Sequence, residues 1–286
     1  MILFKNILTM LKKNIFPIAA MLFVAVVFAS CSKSSGNLSN KNQPIVVPPD
    51  TTKTVAPVYA LVWSDEFDGT SVDATKWNFE TGNLGVNNEE EYYQAANATV
   101  ANGNLVITAK SESVGGQPFT SARLNTQNKF SQTYGRIEAR IKLPMGQGMW
   151  PAFWMLGNNI TTVSWPACGE LDIMEHINNT PTIYGTMHWN VNGHVQYGST
   201  TQSTPGDYHI YAIEWDQNEI RWYVDSTLYQ TGNIQNNINS TGAFHLPFFI
   251  ILNLAVGGDF PGQTVDSTLL PESMYVDYVR VYKQTN

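Results

Sequence analysis

Charge is scarce in this 286-residue sequence: Asp, Glu, Lys and Arg together make 14%, against 43% apolar residues. That balance excludes a disordered polyelectrolyte and suits a packed core. Basic residues are the scarcer sign, 16 against 23 acids, for a net charge of −7. A surface of this sign argues against nucleic acid and against anionic membrane surfaces as partners, and against a highly sulfated polysaccharide as substrate. Cysteine is nearly missing, with Cys31 and Cys168 alone. No internal repeat is visible, and no long stretch carries a helical period. No cluster has the spacing of a catalytic metal site, and His-x-x-x-His on a helix is absent.

What is present begins with an address. Lys5, Lys12 and Lys13 precede the apolar run from Ile15 to Phe28, and Ala29 and Ser30 follow. This is the pattern of a signal peptide over residues 1–30, and the run is short for a membrane span. Cys31 directly after Ala29-Ser30 resembles a bacterial lipobox, which makes Cys31 a lipidation site; Phe28 stands where an aliphatic residue is usual. The expectation is an exported lipoprotein, anchored at the periplasmic or outer face of a membrane only through Cys31. The alternative is an ordinary signal peptide followed by an incidental Cys. Without residues 1–30 the chain has 13 bases against 23 acids, a net −10. Residues 31–57, rich in Ser, Asn, Thr and Pro, read as an extended tether. With Cys31 lipidated, Cys168 has no disulfide partner and is expected as a small buried hydrophobe.

Residues 58–286 read as one domain of strands. From Tyr134 to Leu143, Gly135, Ile137, Ala139, Ile141 and Leu143 alternate with polar residues, the period of a half-buried strand. Leu105–Ala109, Tyr208–Trp215, Ile220–Asp225 and Tyr275–Tyr282 look similar, and Phe248–Val256 is apolar nearly throughout, so both its faces should be covered. Asn102-Gly103, Gly115-Gly116, Asn192-Gly193 and Gly257-Gly258 mark turns. The pattern predicts an all-β, two-sheet antiparallel sandwich.

One segment carries chemistry. In Trp165–Asn178, three acids stand at Glu170, Asp172 and Glu175, interleaved with Leu171, Ile173 and Met174. In a regular strand Glu170 and Asp172 share a face and Glu175 points to the other. A β-bulge at Ile173-Met174 would restore its direction, and bulges are frequent beside active sites. Three adjacent carboxylates repel one another, a cost that makes sense where chemistry needs them. Glycoside hydrolysis needs two carboxyl groups across the scissile bond, one with a raised pKa. A solvated acidic edge or a calcium site has the same composition.

The segment has the Glu-x-Asp-x-x-Glu signature of family 16 glycoside hydrolases, and the chain resembles the laminarinase-like members from about Trp63 to Tyr282. The resemblance runs through Trp63-Ser-Asp-Glu-Phe67, Asn87-Asn-Glu89, Ser121-Ala-Arg-Leu124, Tyr134–Lys142, Gly148–Leu156, Thr186-Met-His-Trp189, Leu252–Gly258 and Val276–Tyr282. It implies a concanavalin A-like jelly roll with a β-glucan cleft, and an endo-acting, retaining β-1,3-glucanase that also accepts mixed-linkage glucan. By position Glu170 would be nucleophile, Asp172 its electrostatic partner and Glu175 the acid/base. Asn88, Glu89, Arg123, Trp150, Trp154, Trp165, His188 and Asn253 would bind substrate. Trp150 and Trp154, four apart, share a strand face; spacing alone favours core tryptophans, and the resemblance places them along the cleft instead. No cofactor is implied for catalysis. A structural calcium is implied at Glu66, the Gly103 carbonyl and Asp277, a donor set of hard oxygens. Val86 and Phe260 stand where such enzymes often carry Trp. The alternatives are action on another β-linked polysaccharide such as a galactan, transglycosylation, or a non-catalytic carbohydrate-binding protein. A monomer is expected.

Overall fold

The computed structural model describes residues 57–286. The export signal expected at residues 1–30, Cys31 and the tether up to residue 56 lie outside the described residues. Among the described residues seventeen strands follow in chain order. The first eight are β1 (Tyr59–Asp65), β2 (Asn78–Glu80), β3 (Glu91–Tyr93), β4 (Ala98–Ala101), β5 (Asn104–Ala109), β6 (Phe119–Ser121), β7 (Arg123–Asn125) and β8 (Gly135–Lys142). Then come β9 (Met149–Gly157), β10 (Glu170–His176), β11 (Thr182–Asn190), β12 (His194–Gln202) and β13 (Tyr208–Trp215). β14 (Glu219–Val224), β15 (Thr227–Asn233), β16 (Phe248–Val256) and β17 (Glu272–Gln284) complete the set.

They form the two-sheet sandwich that the alternation predicts, in jelly-roll arrangement. An eight-stranded sheet runs β15-β14-β13-β8-β17-β5-β4, with β1 also paired to β17. A seven-stranded sheet runs β12-β11-β10-β9-β16-β7-β2. Short β3 and β6 pair in parallel beside it. The core lies between the sheets. Ile137, Ala139 and Ile141 of β8 and Val276, Val279 and Val281 of β17 face it from one side. Phe153 and Met155 of β9, Leu171, Ile173 and Met174 of β10, and Ile250, Leu252 and Leu254 of β16 face it from the other. Each of these but Ala139 contributes about 1.5–3 kcal/mol on burial. All nine residues of β16 are buried, as its nearly continuous apolar run requires.

β16 has two covered faces because a second apolar cluster lies on the side away from the main core. There Leu156, Cys168, Phe249 and Ile251 pack together, with Trp154 and Ile160 against them. Cys168 is a buried free thiol. Burial, with Glu170 nearby, pushes it up to about 11, which keeps it neutral and unreactive.

Candidate active site

The carboxylate strand β10 lies between β9 and β11, and its register slips against both. Against β11 the shift falls between Asp172 and Glu175; against β9 it falls between Asp172 and Met174. This is the bulge expected at Ile173-Met174, and both of those side chains turn into the core, 1% and 0% exposed. The extra inward residue returns Glu175 to the face of Glu170 and Asp172. A buried indole fixes the distortion from behind: Trp222, on β14 of the opposite sheet, donates its Nε1–H to the Asp172 backbone carbonyl at 2.9 Å. Gly185 on β11 makes room for that ring. A Cβ there would stand 2.7 Å from Trp222 Cδ1 and 2.3 Å from the Tyr229 hydroxyl.

On the outer side the three acids line a cavity of ≈ 470 Å³ together with Val86, Asn87, Glu89, Arg123, Trp150, Ala152, Trp154, Leu156, Ile160, Trp165 and Asn253. Each acid has distinct company. Glu170 Oε2 accepts from Trp165 Nε1 at 3.0 Å. Glu175 Oε1 accepts from Trp150 Nε1 at 2.9 Å. Asp172, 4% exposed, has Oδ2 at 3.0 Å from His188 Nε2, without the alignment of a hydrogen bond. His188 Nε2 lies 3.8 Å from Glu170 Oε1. Burial pushes all three acids up to about 8; Asp172 adds to the shift of Glu170 and of Glu175. The indole of Trp165 and His188 act the other way on Glu170, and the indole of Trp150 and His188 on Glu175. The cluster therefore holds protons near neutral pH.

The cavity floor is a relay of side chains. Trp154 Nε1 donates to Asn253 Oδ1 at 2.8 Å, and Asn253 Nδ2 donates to the Tyr93 hydroxyl at 3.2 Å. That hydroxyl donates to Glu89 Oε2 at 3.1 Å. Asn253, a polar residue inside an apolar strand, thus has the partners its burial demands. Arg123 pairs with Glu80 at 3.1 Å, and its guanidinium sits 4.8 Å over the Trp154 ring. Next to this relay Glu91, 1% exposed, accepts from the Val256 backbone N–H at 2.7 Å. Burial and the neighbouring Glu89 hold its carboxyl well above the usual range.

Ten of the eleven catalytic and substrate-binding residues read from the sequence meet here: nine on the cavity wall, and His188 on β11 against Asp172 and Glu170. Asn88 does not line the cavity. Its side-chain amide donates to Asp259 across the loop after β16, at 2.8 Å, and Asn87 takes the place on the wall. Trp150 and Trp154 share a face, as their spacing predicts, and that face lines the cavity, where the resemblance puts it. Phe260 packs edge-on against Trp150 and against Tyr184 at 5.6 and 4.9 Å between centroids, so an aromatic wall stands beside Glu175 without the expected Trp. Sequence reasoning missed Asn87, Tyr93, Tyr184 and His194. His194 was within reach, because the Asn192-Gly193 turn folds it back toward His188.

Two metal possibilities follow from the side chains. One donor atom each from Glu170, Asp172 and His188 lies within 4.8 Å of the others, close enough to hold a metal ion. The calcium set fits less well. The register does bring Glu66, Gly103 and Asp277 to one junction, since β5 and β1 meet the same edge of β17 on either side of Asp277. Both carboxylates there already neutralise arginines, however. Glu66 takes two hydrogen bonds from Arg280, at 3.0 and 2.7 Å, and Asp277 one from Arg140 at 2.7 Å. As placed, these donors do not fit calcium, which needs six to eight oxygens around it.

The sequence profile described as Glycosyl hydrolases family 16 matches residues 85–280, a span that includes the whole cavity. The chain belongs to glycosyl hydrolases family 16. Among family 16 relatives, the β-glucanase of Rhodothermus marinus is 43% identical over 247 residues, covering 80% of this chain and 86% of that protein. The clotting factor G alpha subunit of Tachypleus tridentatus is 44% identical over 80% of this chain, and the match spans 35% of that longer protein. The X-ray structure of the Rhodothermus marinus laminarinase superposes with a TM-score of 0.76 at 41% identity, covering 81% of this chain and 100% of that one.

Proposed function

We infer that this family 16 protein is an endo-acting hydrolase of β-1,3-glucan that retains anomeric configuration and also accepts mixed-linkage β-1,3-1,4-glucan. The observation that carries the mechanism is the bulged strand, which brings Glu170, Asp172 and Glu175 to one wall of the cavity. The likeness to a laminarinase and a β-glucanase supports the substrate class. Trp165 donates to Glu170 and His188 faces it, and both contacts favour its ionised form. Its carboxylate attacks the anomeric carbon. Glu175, whose pKa burial and Asp172 raise, gives its proton to the departing glycosidic oxygen. Glu175 then takes a proton from water, which attacks the same carbon and releases Glu170. Asp172, between the two, holds negative charge or a shared proton against Glu170 as the bond to sugar forms and breaks. Trp154, Arg123 and Asn253 form the floor on which sugar rings lie. We place the enzyme outside the cytoplasm, tethered by lipid on Cys31.

Reducing-sugar assays across laminarin, curdlan, lichenan, agarose and carrageenan test the substrate. Release from laminarin and curdlan, abolished by Glu170→Ser, is the expected result; activity confined to agarose or carrageenan overturns it. Proton NMR of an early digest tests the chemistry, with the β-anomer appearing first. An α-anomer appearing first means inversion and a wider separation of the acids.

A further inference from the structure

One side chain outside the cavity lining touches two of the groups that serve Glu170. His194 is exposed, on β12 just past the Asn192-Gly193 turn. Its Nε2 lies 2.8 Å from His188 Nδ1. The two rings are within 18° of coplanar with centroids 5.1 Å apart, the spacing that rings joined edge to edge through that contact give. The contact is therefore an in-plane N–H···N hydrogen bond. His194 also meets the Trp165 ring, 4.6 Å between centroids. Trp165 donates to Glu170 Oε2, while His188 faces Asp172 Oδ2 and Glu170 Oε1.

A neutral imidazole carries one N–H, and its place decides what His188 offers the acids. In the attacking form Glu170 is ionised, and with the imidazole proton on Nδ1 a bare Nε2 lone pair would face that carboxylate at 3.8 Å beside Asp172 Oδ2 at 3.0 Å. With the proton on Nε2, an N–H faces the acids instead, and Nδ1 then needs a donor of its own. His194 Nε2–H is in place to supply it.

We propose that His194 is a positioning residue for the nucleophile, donating to His188 Nδ1 and so holding the His188 N–H on Nε2, toward Asp172 and Glu170. The assignment rests on the retaining mechanism given above. Removing a group that orients a functional imidazole costs roughly 10–100-fold at metal sites, and the lower end applies to this exposed donor.

Three variants separate the hydrogen bond from the ring contact. His194→Gln keeps a donor and loses the ring; His194→Phe keeps a ring against Trp165 and loses the donor; His194→Ala loses both. Nitrogen-15 NMR of the His188 imidazole reads the tautomer without substrate, and laminarin kinetics read kcat and KM separately. The expected result is an Nε2–H tautomer in the native chain and His194→Gln, and loss of that preference in the other two. kcat should fall about tenfold in His194→Phe and His194→Ala, stay within about twofold in His194→Gln, and leave KM nearly unchanged. An unchanged tautomer in His194→Ala, or equal kcat in the Phe and Gln variants, overturns the proposal. If the native chain releases no sugar from laminarin, the hydrolase reading fails; the NMR series still decides the role of His194.

Discussion

Trp222→Phe tests whether the acid geometry is held from the far sheet. The Trp222 side chain is fully buried, and its one polar atom donates to the Asp172 carbonyl. That carbonyl sits where the ladder to β11 is broken by the bulge. Phenylalanine keeps most of the packing and removes the donor. A buried carbonyl without a partner costs about 1–3 kcal/mol. Lost packing where the larger ring ended adds about 1 kcal/mol, the scale of one or two methylenes. The total is about 2–4 kcal/mol. For a chain of this size each kcal/mol moves Tm by about 2–4 °C, so calorimetry should show a fall of roughly 5–15 °C. A second effect separates this role from plain packing. Asp172 loses its backbone anchor, so kcat on laminarin should fall at temperatures where the variant is fully folded, while Ile220→Val, a core change on the same strand, lowers Tm alone. A Trp222→Phe protein with native kcat when folded refutes the claim that this indole sets the acids.

Three further outcomes are expected. Burial raises Glu175 from 4.5 to about 8, so folding binds its proton more tightly; that contribution is complete below about pH 4.5 and is lost as pH rises through 8. Glu175→Gln should therefore gain Tm over the native chain increasingly from pH 4 to pH 9, and a difference that is flat or shrinks with pH counts against the raised pKa. Trp154→Ala should weaken laminari-oligosaccharide binding by about 1–3 kcal/mol, by analogy with ring stacking on other flat ligands. Because the ring also packs against the second apolar cluster, it should lower Tm as well, and titration calorimetry showing native affinity per folded molecule removes it from the floor. Cys31→Ala should move the protein from the membrane fraction to the soluble one with activity unchanged; equal partitioning of the two forms favours ordinary secretion.

The parts legible in the sequence were those written in local pattern. The alternation in Tyr134–Leu143 and the nearly continuous apolar run Phe248–Val256 show their faces without any partner strand. The bulge was legible too, because Ile173 and Met174 put two consecutive apolar residues between acids that otherwise alternate with them. What was hidden depends on partners far away in the chain. The resemblance made Glu66 and Asp277 cation ligands, and nothing local contradicted it, because their ion-pair partners stand 214 residues on, at Arg280, and 137 residues back, at Arg140. The resemblance put Asn88 in the cleft, and its actual partner, Asp259, lies 171 residues on, where no local pattern shows it. Trp222 has no local mark of its duty to Asp172. Its role exists only once the two sheets are stacked.

The bulge bears on how this cleft could change over generations. The distance from Asp172 to Glu175 is counted out by two side chains that the core holds, Ile173 and Met174. Exchanging any of the acids alters the chemistry and leaves that count alone. Losing a single codon between them would abolish the bulge and restore plain alternation, leaving Glu175 on the face of Glu170 and Asp172 but one strand position nearer, with one side chain fewer in the core. Point substitution can tune this enzyme, but a differently spaced pair of acids lies across a gap that only an in-frame insertion or deletion can cross, with the core repacked in the same event.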